Sequence, residues 1–172
     1  MDQALRVLVL LIVGGAAVTA LAGAAAYWLE PMRRIERALR RALEGKPDAF
    51  LASPVRGQGA GVLFDTRRLA ILRDFSDGGL LFELAELVGA ELIFDGQVAA
   101  RAMRGEPGRL LDRIDPEVSR VTVRLVFDDV REPEFELDLW RADDPPRPGW
   151  NGQAAVQAAR RFFARVEALV RR

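Results

Sequence analysis

Histidine and cysteine are both missing from this sequence, and Lys46 is its only lysine. Those three residue types supply most general bases, thiol nucleophiles and Schiff-base amines, so the usual routes to bond-making chemistry are closed at the level of composition. A Cys/His zinc site and a disulfide are closed with them. Three serines remain, Ser53, Ser76 and Ser119, and none sits in a G-x-S-x-G turn. Lys46 stands beside Pro47 in a turn-rich stretch, a poor place to bury a reactive amine. Carboxylates are the catalytic type left. Glu83, Glu86, Glu91 and Asp95 are candidates for the pair that glycoside hydrolysis uses, but along alternating segments they read as solvated faces. The run DDVREPE concentrates Asp128, Asp129, Glu132 and Glu134, yet it lacks the glycine and alternating aspartates of a calcium loop and reads as a charged hairpin turn. RGQGAG, residues 56–61, lacks the Lys-Ser/Thr of a phosphate-binding P-loop. No catalytic residue, metal site or cofactor is expected; a carboxylate-based hydrolase is the least favoured reading.

Binding chemistry is better represented. Residues 30–46 carry six cations and three carboxylates, a net of +3, while residues 1–29 balance, leaving −3 on residues 47–172 of a chain whose total is zero. The larger part therefore lacks the basic excess that a nucleic-acid partner would require. Within the basic segment, Arg33, Arg34, Arg37, Arg40 and Arg41 fall on one helical arc. Met32, Ile35, Ala38, Leu39, Ala42 and Leu43 fall on the opposite one. Residues 30–45 thus read as a short amphipathic helix opened by Pro31. Either it lies in a membrane interface with its arginines near anionic head groups, which its position favours, or its apolar face packs on the domain or on a second copy.

That position follows from what precedes it. Residues 7–29 contain no charge and as a helix would extend about 34 Å, enough to cross a hydrocarbon layer of about 30 Å. Tyr27 and Trp28 stand where an aromatic belt belongs, and the cations follow the span. The positive-inside rule then places the N-terminus outside a bacterial inner membrane and everything after Leu29 in the cytoplasm. The alternative is a secretory signal cut near Ala26, which would show a more basic start and a shorter apolar core. Gly15, Thr19 and Gly23 recur at four-residue spacing, as do Ala16, Ala20 and Ala24, the small-residue pattern that lets membrane helices pack on a protein partner or a second copy.

Beyond the basic segment, the Gly/Pro-rich residues 46–60 read as a linker. Alternating or short apolar runs then predict about seven strands, at 61–64, 69–73, 79–83, 88–94, 97–103, 118–127 and 134–140. Asp95-Gly96 predicts a tight hairpin. Aligning the apolar faces of the last two runs sets Arg124 opposite Glu136, on the solvent face. Trp140 and Trp150 bracket a Pro-rich break. Asn151 can then cap a final helix over 151–171, with Ala155, Val156, Ala159, Phe162, Phe163, Val166, Leu169 and Val170 on one face. The expected organisation is an anchor (1–29), an amphipathic helix (30–45), a linker (46–60) and an α+β domain (61–172).

The phrases GVLFDTRRLAILR, LLFELAELVGAELIFDG, RVTVRLVFDD with PEFELDLW, and AAVQAARRFFARVEALV, in that order, resemble a pleckstrin-homology-like domain of bacterial membrane-anchored proteins. They cover roughly residues 59–170. The resemblance implies an antiparallel β-barrel or sandwich with a helix closing one end, and binding or scaffolding more often than catalysis. In the phosphoinositide-binding members basic residues around the first hairpin grip the head group, which here implies Arg67 and Arg68, with anionic lipid as a second kind of partner. The Pro-rich break before the last helix departs from the family's near-direct passage from last strand to helix.

Overall fold

The computed structural model of the protein describes residues 3–76, 78–106, 109–110 and 118–171. Its elements run α1 (Gln3–Leu29), α2 (Pro31–Ala42), β1 (Ala49–Ser53), β2 (Gln58–Leu63), β3 (Arg68–Leu72), β4 (Leu80–Glu83), β5 (Leu87–Phe94), β6 (Gln97–Met103), β7 (Arg109–Leu110), β8 (Arg120–Phe127), β9 (Glu134–Arg141) and α3 (Gly152–Val170). The class is α+β. The strands form two antiparallel sheets, a meander β1-β2-β3-β4 and a sheet ordered β7-β6-β5-β8-β9. Neither closes into a barrel among the described residues.

Alternation along the strands builds the main core. Val121, Val123, Leu125 and Phe127 of β8 and Phe135, Leu137 and Leu139 of β9 point the same way, toward Leu69 and Ile71 of β3 and the apolar stripe of α3. The Phe82 and Phe127 rings stack across the two sheets with centroids 4.2 Å apart. Helix α3 begins where expected: the Asn151 side chain accepts the Ala154 N–H at 2.9 Å. Its predicted apolar face is buried except Leu169, which is half-buried. The hairpin at Asp95-Gly96 is also in place, both residues having positive φ (49° and 81°).

The segment read as a linker is instead strand β1 and the start of β2. Its glycines serve close packing. A Cβ on Gly59 would lie 2.5 Å from Ile35 Cγ2, and one on Gly61 would lie 3.4 Å from both Leu39 and Leu43. These two positions alternate toward α2 while Ala60 and Val62 face the main core. Sheet β1-β4 is thus covered on both faces, which removes the polar alternation that would have marked its strands.

Helix α2 supplies that second cover. Ile35, Leu39 and Leu43 are at most 1% exposed and pack on Ala52, Ala70 and Leu72. The interfacial placement is therefore corrected: the apolar face of α2 is spent on protein, since it meets a sheet face that would otherwise expose Ala70 and Leu72.

Helix α1 leads into α2 with only Glu30 between them. Its described side chains from residue 10 to 23 are exposed, Leu10 and Leu21 each at 70%. Gly15, Ala16, Thr19, Ala20 and Gly23 lie on this exposed stretch. The side chains of Ala24, Ala26, Tyr27 and Trp28 lie outside the described residues. Among the described residues no helix is long and apolar enough to cross a membrane.

Candidate functional site

The five arginines of α2 do not form a single patch. Arg33 pairs with Glu30 at 3.0 Å, Arg37 Nε donates to the Arg33 carbonyl at 3.2 Å, and the Arg34 guanidinium sits 4.9 Å over the Phe75 ring. Arg40 and Arg41, in the last turn, are exposed and have no ion pair among the described residues.

The β2–β3 turn holds Arg67 and Arg68, and the fold separates them. Arg68 opens β3 and reaches Glu44 at 3.4 Å. Arg67 ends the turn in the left-handed region, with φ of 53°. Two backbone bonds hold it there: its N–H donates to the Phe64 carbonyl at 3.2 Å, and its carbonyl accepts the Leu84 N–H at 2.8 Å. So placed, Arg67 joins Phe64, Leu84, Arg165, Ala168 and Leu169 around a groove of about 510 Å³. Arg165 donates from Nη1 to the Asp48 carbonyl at 2.9 Å, which fixes its guanidinium at the groove. Neither Arg67 nor Arg165 has a carboxylate partner among the described residues. Arg165 was not picked out in the sequence. The signal was its spacing of four from Leu169, which puts both on one side of α3.

The first hairpin of the fold is β1–β2, one strand earlier than the sequence reading. The arginine of its turn, Arg56, is engaged by Asp144 through two bonds of 2.8 and 3.2 Å and lies 3.9 Å from Asp138. Asp138 also accepts from Arg120, Arg141 and the Thr122 hydroxyl. Burial alone pushes the Asp138 carboxyl up, but these bonds outweigh it and hold it below the ordinary carboxylate range.

Of the carboxylates considered for catalysis, Glu86, Asp95 and Glu91 are engaged, while the Glu83 carboxylate is exposed with no partner among the described residues. Glu86 accepts the Glu83 N–H at 2.6 Å. Asp95 accepts from the Ser119 N–H and hydroxyl and from the Arg120 N–H, within 2.6–2.9 Å. Glu91 is 2% exposed and lies between Arg101 at 2.5 Å and Arg124 at 2.8 Å. Arg124 does face Glu136 in register, as expected. The face is not simply solvated, because Arg101, Glu91, Arg124 and Glu136 make an alternating row across β6, β5, β8 and β9. Asp129 caps the turn 128–133 through the Arg131 and Glu132 N–H groups, and Glu132 pairs with Arg73 at 2.5 Å. Among the described residues no group of three or more acidic side chains could hold a metal ion. Ser76 bonds Asp74 within one turn, and Ser119 bonds Asp95, which ties the chain entering β8 to the β5–β6 turn.

What converges on open space is therefore a groove with apolar walls and two guanidinium groups, an arrangement suited to holding an anion attached to something apolar. No protein family, curated protein or solved structure matches this chain.

Proposed function

We propose that this chain is a membrane-attached, non-catalytic interaction module. In this reading α1 spans a bacterial inner membrane with its N-terminus outside. The two-sheet domain, of pleckstrin-homology-like architecture, works in the cytoplasm as a scaffold or an accessory subunit of a membrane complex. The observation that carries it is α1 itself: an uncharged run over residues 7–29 whose described side chains project outward from the domain instead of packing on it. An exposed apolar surface of that extent is stable against lipid or against another helix and costly in water. The Thr19 hydroxyl donates to the Gly15 carbonyl at 2.9 Å, so the described part of the helix satisfies its polar side chain internally. The test is alkaline extraction of membranes with a periplasm-active C-terminal reporter. Retention in the membrane with a silent reporter supports the reading; extraction, or an active reporter, overturns it.

A second reading, contact with the anionic bilayer surface, is favoured by Arg40 and Arg41, which have no ionic partner among the described residues. Hydrogen exchange of α2 in neutral and anionic nanodiscs tests it. Protection that appears only with anionic lipid, and is lost in Arg40→Gln/Arg41→Gln, supports it; equal exchange in both removes it.

A further inference from the structure

The groove beside the β2–β3 turn has features that membrane attachment does not use. Its walls come from turn residues Phe64 and Leu84 and from Ala168 and Leu169 near the end of α3. No lining residue belongs to a strand, and the Leu84 N–H is already bonded to Arg67. The groove therefore offers no strand edge for an extended peptide to join. A ligand with one charged end and a featureless apolar body loses nothing by that absence.

The charge of the groove is set by Arg67 and Arg165. The nearby carboxylate of Asp48 accepts the Phe64 N–H at 2.8 Å and stays charged, but it does not line the groove. The C-terminal turn of α3 carries partial negative charge and opposes an anion, so attraction has to come from the two guanidinium groups. Holding Arg67 in a left-handed backbone conformation costs on the order of 1 kcal/mol, strain of a kind that gathers at ligand sites. Arg165 has already committed one N–H to Asp48. The donors left on the two guanidinium groups suffice to hold a carboxylate from both sides.

We propose that this groove binds a single-chain fatty acid, its carboxylate held by Arg67 and Arg165 and its chain lying along Phe64, Leu84, Ala168 and Leu169. The site stands whether or not α1 enters a membrane.

The experiment uses the full chain in phosphatidylcholine nanodiscs and a diazirine-bearing laurate, with adducts mapped by mass spectrometry. Adducts on α1 report probe dissolved in the bilayer and serve as background. Binding in the groove gives adducts at residues 64, 84 and 168–169 that excess laurate removes and methyl laurate does not. Arg67→Gln and Arg165→Gln each lower groove labelling at least about tenfold, as loss of a charged hydrogen bond requires. Arg68→Gln, whose partner is Glu44, leaves it unchanged. Ala168→Phe, which fills the groove without touching either charge, abolishes it, and an unchanged thermal melt shows that each variant is folded. The proposal is overturned by groove labelling that methyl laurate competes equally, by labelling indifferent to both arginine variants, or by adducts confined to α1. Stronger competition by lysophosphatidate than by laurate overturns the carboxylate assignment.

Discussion

Arg56 and Asp144 stand 88 positions apart in the chain and form a two-bond ion pair that ties the first turn of one sheet to the loop leaving the other. Gln58 works at the same corner. Its side-chain amide accepts the Asp138 N–H at 3.2 Å and donates to the Glu136 carbonyl at 3.4 Å, occupying the free edge of β9. The Arg56 and Asp144 side chains are 20% and 10% exposed, so neither charge is well solvated once its partner is gone. Asp144→Asn is expected to cost about 2–4 kcal/mol, read from urea unfolding. A loss below about 0.5 kcal/mol would show that the corner does not depend on this pair.

The glycines of β2 set the distance to α2. Gly59→Ala places a methyl group within 2.5 Å of Ile35 Cγ2 and should push α2 off the sheet. Cleavage by protease within residues 31–46 is expected to accelerate. Leu39→Ala, at a site with no exposure, should cost about 2–5 kcal/mol by leaving a cavity. If α2 were only loosely attached, both variants would melt like the parent.

Two glutamates of the charge row should differ in value. Glu91 is buried between two arginines, whereas the Glu136 side chain is 41% exposed. Glu91→Gln removes the buried charge and weakens its bonds to Arg101 and Arg124, which stay partly solvated, and is expected to cost about 1.5–3 kcal/mol. Glu136→Gln should cost about 1 kcal/mol or less. Equal costs in chemical denaturation would mean that burial does not set the energetics of this face.

The response to pH follows from three aspartates. Burial raises the carboxyls of Asp95, Asp138 and Asp144, but hydrogen bonds outweigh it in each: Ser119 and the Arg120 N–H for Asp95, Thr122, Arg141 and Arg120 for Asp138, and Arg56 with the Arg141 N–H for Asp144. Their folded values lie below the unfolded value of about 3.9. Their stabilisation is therefore complete above that value and is lost as the pH falls through the folded values. With no histidine in the chain, no side chain of ordinary pKa titrates between about pH 5 and 8. Tm should be level across that window and fall below about pH 4. Asp138→Asn should lower the plateau and make the acid decline shallower; an unaltered acid limb would remove Asp138 from this account.

On α1, a Cβ added at Gly15 or Gly23 would meet nothing within 4 Å. Gly15→Val and Gly23→Val are expected to leave the thermal melt of the domain unchanged. If this face packs against a second copy or another helix, cross-linked product from membranes should fall several-fold in both variants. Unchanged cross-linking would assign the small residues to lipid contact alone.

Much of the fold was legible because periodicity reports which residues share a face. The pairing of Arg124 with Glu136, the Asp95-Gly96 turn, the Asn151 cap and the buried stripe of α3 all follow from local spacing. Strand β1, flanked by Gly and Pro, and the glycine-bearing first half of β2 were missed because they look like a linker until α2 is seen lying 2.5–3.4 Å from where a Cβ at Gly59 or Gly61 would stand. The groove was half legible. Arg67 marked itself as a cation at a turn, but Arg165 reaches the same groove from 98 positions downstream only because α3 lies across both sheets.

By itself the sequence determined which nucleophile and base types are missing, the uncharged N-terminal run, the antiparallel alternation of the later strands and the faces of both amphipathic helices. Tertiary structure alone decided what covers those faces: sheet for α2 where lipid was expected, Arg101 and Arg124 around Glu91, and Arg165 beside Arg67. The physical reason is that amphipathicity is set by residues three or four apart, while burial and charge pairing depend on which distant segment closes over the face, and that choice is made by packing.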